Sequence, residues 1–150
     1  MKYRIAIASA AVLWAGTAGA NTNINLDGVA FHPSSTASTT CAAYGNTDVT
    51  NACAAATTFS AALPFVPTGT SSLKIYVDGW NPAGGTVICY AYSYNFNGNF
   101  LGNSTFTYTT AGTFDQQLTL TTAALSTWAY LSVVCNIPQS GMLYGVAAHY

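Results

Sequence analysis

Asp27, Asp48, Asp78 and Asp115 are the only carboxylate side chains in the sequence, and His32 and His149 the only imidazoles. Hydrolysis of a glycosidic bond by the usual route needs two carboxyl groups flanking the scissile bond, one of them held protonated. Here the aspartates are scattered singly. Asp78 before Gly79 and Asp48 after Thr47 read as turn residues whose side chains bond nearby backbone. A Ser-His-Asp set could draw on His32 and Asp27, but no G-x-S-x-G elbow presents a nucleophile. Five positions apart on one strand, those two side chains would also point to opposite faces. His32, between Phe31 and Pro33, reads as a strand-end residue bonded to a backbone carbonyl. Two isolated histidines make a poor zinc site. The stretch "VDGWNPAGG" (77–85) offers Asp78, Asn81 and loop carbonyls as hard oxygen donors to calcium. One carboxylate is too little to assign a metal there, an ordinary Gly/Pro turn being the alternative, and no cofactor is expected.

Aromatic residues are the enrichment that could carry a function, with ten Tyr, seven Phe and three Trp. Their flat apolar faces with polar edges commonly anchor interfaces. In "VICYAYSYNF" (87–96) every second residue is large: Ile88, Tyr90, Tyr92, Tyr94 and Phe96. Trp80, in what reads as a loop, and Trp128 and Tyr130, near the start of a later strand, complete the candidate binding set.

The elements that must position these residues follow from composition and pattern. Residues 1–20 carry Lys2 and Arg4, an apolar run from Ile5 to Trp14, and Ala18 and Ala20 at A-x-A spacing. That is the pattern of an export signal, and a bilayer span needs about twenty apolar residues. Asn21 rather than Cys follows, so no lipid-anchor cysteine is expected. The remaining segment, 21–150, suits one domain able to bury about two-thirds of its unfolded surface. It keeps only Lys74 against four aspartates, a formal charge of −3. Nucleic-acid binding needs clustered Lys and Arg to displace counterions, so that class is excluded. The expected location is secreted or periplasmic.

No apolar period of 3.6 residues persists beyond the signal, and short Tyr, Val, Ile and Leu blocks alternate with turn residues. The expectation is an all-β chain, a two-sheet antiparallel β-sandwich of jelly-roll or Greek-key type with about eight strands. Strands are expected over 24–31, 57–63, 72–79, 87–96, 100–108, 113–122, 128–137 and 141–150. Leu73, Ile75 and Val77 form one core face, and Phe114, Leu118 and Leu120 another. Asn97-Gly98 marks a hairpin.

Four cysteines in an exported chain are an even set that an oxidising compartment would pair, in one of three ways. Cys41 and Cys53 share an Ala/Thr/Asn-rich segment, while Cys89 and Cys135 each lie in a strand-like run. Pairing like with like joins 41 to 53 and 89 to 135. The sequence also resembles a group of small secreted bacterial proteins through "GVAFHPSS" running to Cys41, "ACAAATTFSAALPF", "IYVDGWN", "VICYAYS" and "YLSVVCNIP". The resemblance spans most of segment 21–150. It implies a disulfide-bonded β-sandwich and the same pairing, and supplies no catalytic residues.

A bond between Cys89 and Cys135 would put both side chains in one space. Cys135 shares its strand face with Leu131, Val133 and Ile137, so Val87, Cys89 and Ala91 would face the core. The tyrosines, with Trp128 and Tyr130, would face away. Two rivals stay open: the tyrosine side is the core and the disulfide lies outside, or loops cover the tyrosines as a second small core. An exposed tyrosine face would make this a non-catalytic binding module for a glycan or cell-surface polymer. The alternative is a self-assembling structural or pilus-like subunit, pairing through an edge strand such as "MLYGVAAHY".

Overall fold

A computed structural model describes residues 24–64, 72–121 and 129–149. The expected export signal, Trp128 and the turn expected near "TAALS" lie outside these residues. The chain forms eleven strands: β1 (Ile24–Asp27), β2 (His32–Pro33), β3 (Ala42–Tyr44), β4 (Val49–Asn51), β5 (Thr57–Leu63), β6 (Ser72–Asn81), β7 (Val87–Tyr94), β8 (Phe100–Tyr108), β9 (Gly112–Thr121), β10 (Tyr130–Ile137) and β11 (Met142–His149). Two antiparallel sheets result. Sheet A has the order β3-β4-β11-β6-β9, with β1 also on β11, and sheet B the order β2-β5-β10-β7-β8.

The β-sandwich expected from the alternation is therefore the fold. Strands β4 to β11 follow the order β4-β11-β6-β9 in one sheet and β5-β10-β7-β8 in the other, which is a jelly roll. The excess over eight comes from the short strands β1, β2 and β3. Strand β11 holds β6 along one side, and on the other it holds β4 at Met142–Leu143 and β1 at Gly145–Ala148. Gly28 stands at that handover, where a Cβ would run into the Leu143 carbonyl and the Asp48 backbone.

This placement corrects one expectation. The C-terminal strand is interior, so its backbone is already paired on both sides, and "INL" of β1 completes that pairing within the same chain. Edge positions belong to β3 and β9 in sheet A and to β2 and β8 in sheet B.

Inner faces follow strict alternation. From sheet A come Leu73, Ile75, Val77, Phe114, Leu118, Leu120, Leu143 and Val146; from sheet B come Phe59, Val87, Cys89, Leu131, Val133, Cys135 and Ile137, all buried. Packing of these faces against each other supplies the main apolar burial. Cys89 and Cys135 are directly opposed across β7 and β10, bonded, with Cα atoms 4.1 Å apart. Cys41 and Cys53 form the second disulfide, Cα atoms 4.9 Å apart. Two disulfides fit an oxidising compartment.

Two buried amides close the ends of the sandwich. The Asn51 side chain donates to the Ala55 carbonyl (2.9 Å) and to the Ile137 carbonyl (2.8 Å), tying sheet A to sheet B. Asn81 donates to the carbonyls of Gly85 (3.0 Å) and Thr110 (3.1 Å). Among the described residues no helix is long and apolar enough to cross a membrane.

Candidate functional site

The tyrosine ladder lies on the outer face of sheet B. Val87, Cys89, Ala91 and Ser93 of β7 are buried while Ile88, Tyr90, Tyr92 and Tyr94 are half-buried on the other side, so the disulfide assigned the faces correctly. Successive outward positions on a strand are about 7 Å apart. The rings accordingly stand in a row, Tyr90 and Tyr92 stacked with centroids 5.5 Å apart and planes at 15°, Tyr92 and Tyr94 at 6.3 Å.

Both neighbouring strands extend the row. Tyr130 of β10 is directly opposite Tyr94 and 64% exposed. On the other side Phe100 of β8 faces Tyr94, its ring 5.9 Å away in an edge contact. Further along, Asn103, Thr105 and Thr107 of β8, with Ser132, Val134 and Asn136 of β10, flank the tyrosines at their register positions. Thr105 is anchored by donating to the Cys89 carbonyl (3.0 Å).

Three expected members of the set need correction. Phe96 is not part of the strand: β7 ends at Tyr94, and Phe96 is exposed in the turn beyond it. That turn is held by Asn95, whose side-chain oxygen accepts from the backbone N–H groups of Asn97 (3.0 Å) and Asn99 (2.9 Å), with Gly98 at φ 78°. Trp80 is not in a loop. It is the ninth residue of β6, half-buried on the outer face of sheet A, opposite Met142 and Thr113. The strand continues through Asp78-Gly79 because Gly79 leaves room for the Phe114 ring and the Met142 carbonyl, rather than making a turn. Trp80 is thus on the opposite side of the sandwich from the ladder. Trp128 falls outside the described residues.

Electrostatically the ladder is distinctive. Sheet B contains no Asp, Glu, Lys or Arg, and its one imidazole, His32, is two strands from β7 on β2. There the Tyr44 hydroxyl lies 3.2 Å from His32 Nδ1 and donates to the Phe31 carbonyl, also at 3.2 Å. His32 therefore meets a tyrosine hydroxyl rather than a carbonyl. Asp27 and His32 are in different sheets, so they form no catalytic pair. Burial and the neighbouring Tyr90 and Tyr94 phenols push the Tyr92 phenol above the ordinary tyrosine value, which keeps it neutral.

Lys74, Asp78 and Asp115 belong to the outer face of sheet A. There Ser72, Lys74, Tyr76, Asp78, Asp115, Ala147 and His149 line a shallow groove of about 640 Å³. Asp78 and Asp115 are directly opposed across β6 and β9. Neither is the isolated turn residue that the sequence implies for Asp78, since the pairing depends on a strand register. Desolvation, then the Asp115 charge and a hydrogen bond to Asp115, raise the Asp78 carboxyl above the ordinary carboxylate range. Carboxyls in hydrogen-bond contact leave no room for a sugar between them, whereas glycosidase pairs stand roughly 5 to 9.5 Å apart. The Asp78 and Asn81 side chains project to opposite sides of β6, so the suggested calcium donors do not converge. Among the described residues no group of three or more His, Cys, Asp or Glu could hold a metal ion. Tyr76 packs edge-on to His149 with centroids 5.2 Å apart and donates to Gln117 (2.9 Å).

No protein-family model matches the chain, and no curated protein does. Among solved structures that match is the Arthrobacter globiformis T6 isomalto-dextranase complexed with panose, at 16% identity and a TM-score of 0.32, over 71% of this chain and 17% of that one. The chain thus spans about a sixth of that protein's length.

Proposed function

We propose that the protein is an exported, non-catalytic glycan-binding module that uses the outer face of sheet B. The observation that carries this reading is the uncharged aromatic row Tyr90, Tyr92 and Tyr94, extended sideways by Tyr130 and Phe100. Sugar rings present C–H faces that stack on such platforms, while Tyr hydroxyls and Asn and Thr side chains serve ring hydroxyls. Export is supported by the basic, apolar and small-residue pattern of residues 1–20 and by the two disulfides. The test is a glycan array with the 21–150 segment and its Tyr92→Ala and Tyr130→Ala variants. Retention of one carbohydrate class that both variants weaken is the expected result; binding unchanged by both would remove this mechanism.

A second reading rests on β8. This edge strand is nine residues long and carries no charge, lacking the usual protection against pairing with another chain. In that reading copies join β8 to β8 and the protein is an assembling surface subunit. Negative-stain microscopy and size-exclusion chromatography at high concentration separate the two. Assemblies dispersed by Asn103→Lys favour the subunit, and a persistent monomer favours the glycan module.

A further inference from the structure

The hydroxyls of the ladder differ from those of the other ordered tyrosines. The Tyr44, Tyr76 and Tyr108 hydroxyls each donate within the protein, to the Phe31 carbonyl, Gln117 and the Thr113 carbonyl respectively. Among the described residues, those of Tyr90, Tyr92, Tyr94 and Tyr130 have no protein partner. Four phenols are therefore presented to solvent on one face, with their hydrogen-bonding capacity unspent and with no fixed charge beside them.

Shape narrows the ligand. From Ile88 to Tyr94 the face runs about 20 Å along β7, and from Phe100 to Tyr130 it crosses three strands, about 10 Å. This is wider than one sugar ring. The face has no walls, and the groove of about 640 Å³ lies on the other sheet. A cleft can bury most of a soluble ligand, but a flat sheet covers only one side of a single chain. A free chain stacking there would also lose conformational freedom on being ordered, an expense that an already packed polymer does not incur.

Charge narrows it again. With no Lys or Arg on sheet B, a uronic acid, sulfate or phosphate group would lose solvation and find no cation. Accordingly, and resting on the glycan reading above, we infer that the partner is the flat face of a packed, neutral, water-insoluble polysaccharide, met by Tyr90, Tyr92, Tyr94, Tyr130 and Phe100 together. Phe100 and Tyr130 act as the lateral contacts that a single narrow chain would leave unused.

The experiment is depletion of the full 21–150 segment from solution by microcrystalline cellulose, crystalline chitin and insoluble α-glucan particles. Alginate gel serves as the charged polymer, and soluble neutral hexasaccharides as competitors. The expected result is partition onto at least one neutral solid, lowered about tenfold or more by Tyr92→Ala, the scale of an aromatic anchor. Phe100→Ala and Tyr130→Ala, at exposed positions that do not threaten folding, should each lower it too. Hexasaccharides should fail to compete. Displacement by a soluble hexasaccharide, or tighter retention by alginate, with the same sensitivity to Tyr92→Ala, would overturn the packed neutral surface and leave the glycan reading standing. Absence of binding to every carbohydrate would overturn both.

Discussion

The two outer faces of this sandwich are built by the same alternation and come out with opposite chemistry. On sheet A the outward residues include Lys74, Asp78, Asp115 and His149, and Tyr76 is tied to Gln117 and packed on His149. On sheet B they are tyrosines and neutral Thr, Ser and Asn, with the ladder hydroxyls turned to solvent. A polar, internally bonded face is what solubility and strand pairing require of an exposed sheet. Folding gives no corresponding reason for an uncharged row of aromatics, because the apolar core is already complete beneath it. The difference assigns recognition to sheet B and leaves sheet A accounted for by solvation and pairing alone.

The contrast depends on β7 keeping its orientation, and the largest expected effect comes from removing what holds it there. Cys89–Cys135 closes 46 positions of chain and Cys41–Cys53 closes 12. In the chain-entropy account these stabilise by about 4 and about 3 kcal/mol respectively. The Cys89→Ser/Cys135→Ser double variant should lose more unfolding free energy in a denaturant titration than Cys41→Ser/Cys53→Ser. It also leaves two hydroxyls in an apolar core. A smaller loss for the 89–135 pair would mean that sheet B does not rely on the bond that fixes its faces.

Tyr92→Ala and Tyr76→Ala set one face directly against the other. The first should lower carbohydrate partition about tenfold or more while leaving the melting temperature nearly unchanged. The second removes a hydrogen bond and a ring contact, so it should cost about 1 kcal/mol of stability with binding retained. If both variants lost binding equally, the division of labour between the faces would fail. Ser132→Lys, which puts a charge next to Tyr92 on β10, sharpens the same point. Partition onto a neutral polymer should fall several-fold, with stability changed by no more than about 0.5 kcal/mol.

How much of this was legible in the sequence depends on whether the signal was local. The core faces of β6, β7 and β10 follow from alternation, and one cysteine in β7 was enough to turn the tyrosines outward. Phe100 escaped because a β-bulge between Ser93 and Tyr94 leaves Leu101 as the extra residue of β8. Counting back by twos from Thr107, Thr105 and Asn103 would put Leu101 outward and Phe100 inward; the bulge reverses that. Trp80 was misplaced because Asp78-Gly79 has turn composition, and only the packing of Phe114 against Gly79 explains a strand there. The Asp78–Asp115 pair and the interior place of β11 arise from registers between segments far apart in sequence, which composition does not encode.

The smallest expected effect lies on sheet A. Asp115 and desolvation raise the Asp78 carboxyl in the folded state, so the folded protein holds that proton more tightly than the unfolded chain does. The stability this contributes is full below the unfolded aspartate value, near about 3.9, and is lost as the pH rises through the raised folded value. At neutral pH the two opposed carboxylates therefore oppose folding. Asp115→Asn should raise the melting temperature at neutral pH, by the few tenths of a kcal/mol that like charges across a strand pair cost. The gain should shrink to nothing once the pH is low enough to protonate both groups. Carbohydrate partition should not change at either pH, because the pair is on the far side of the core from the ladder. A lower melting temperature for Asp115→Asn at neutral pH would mean that the carboxylates hold something in common rather than repel, and sheet A could then no longer be counted as the face without a ligand.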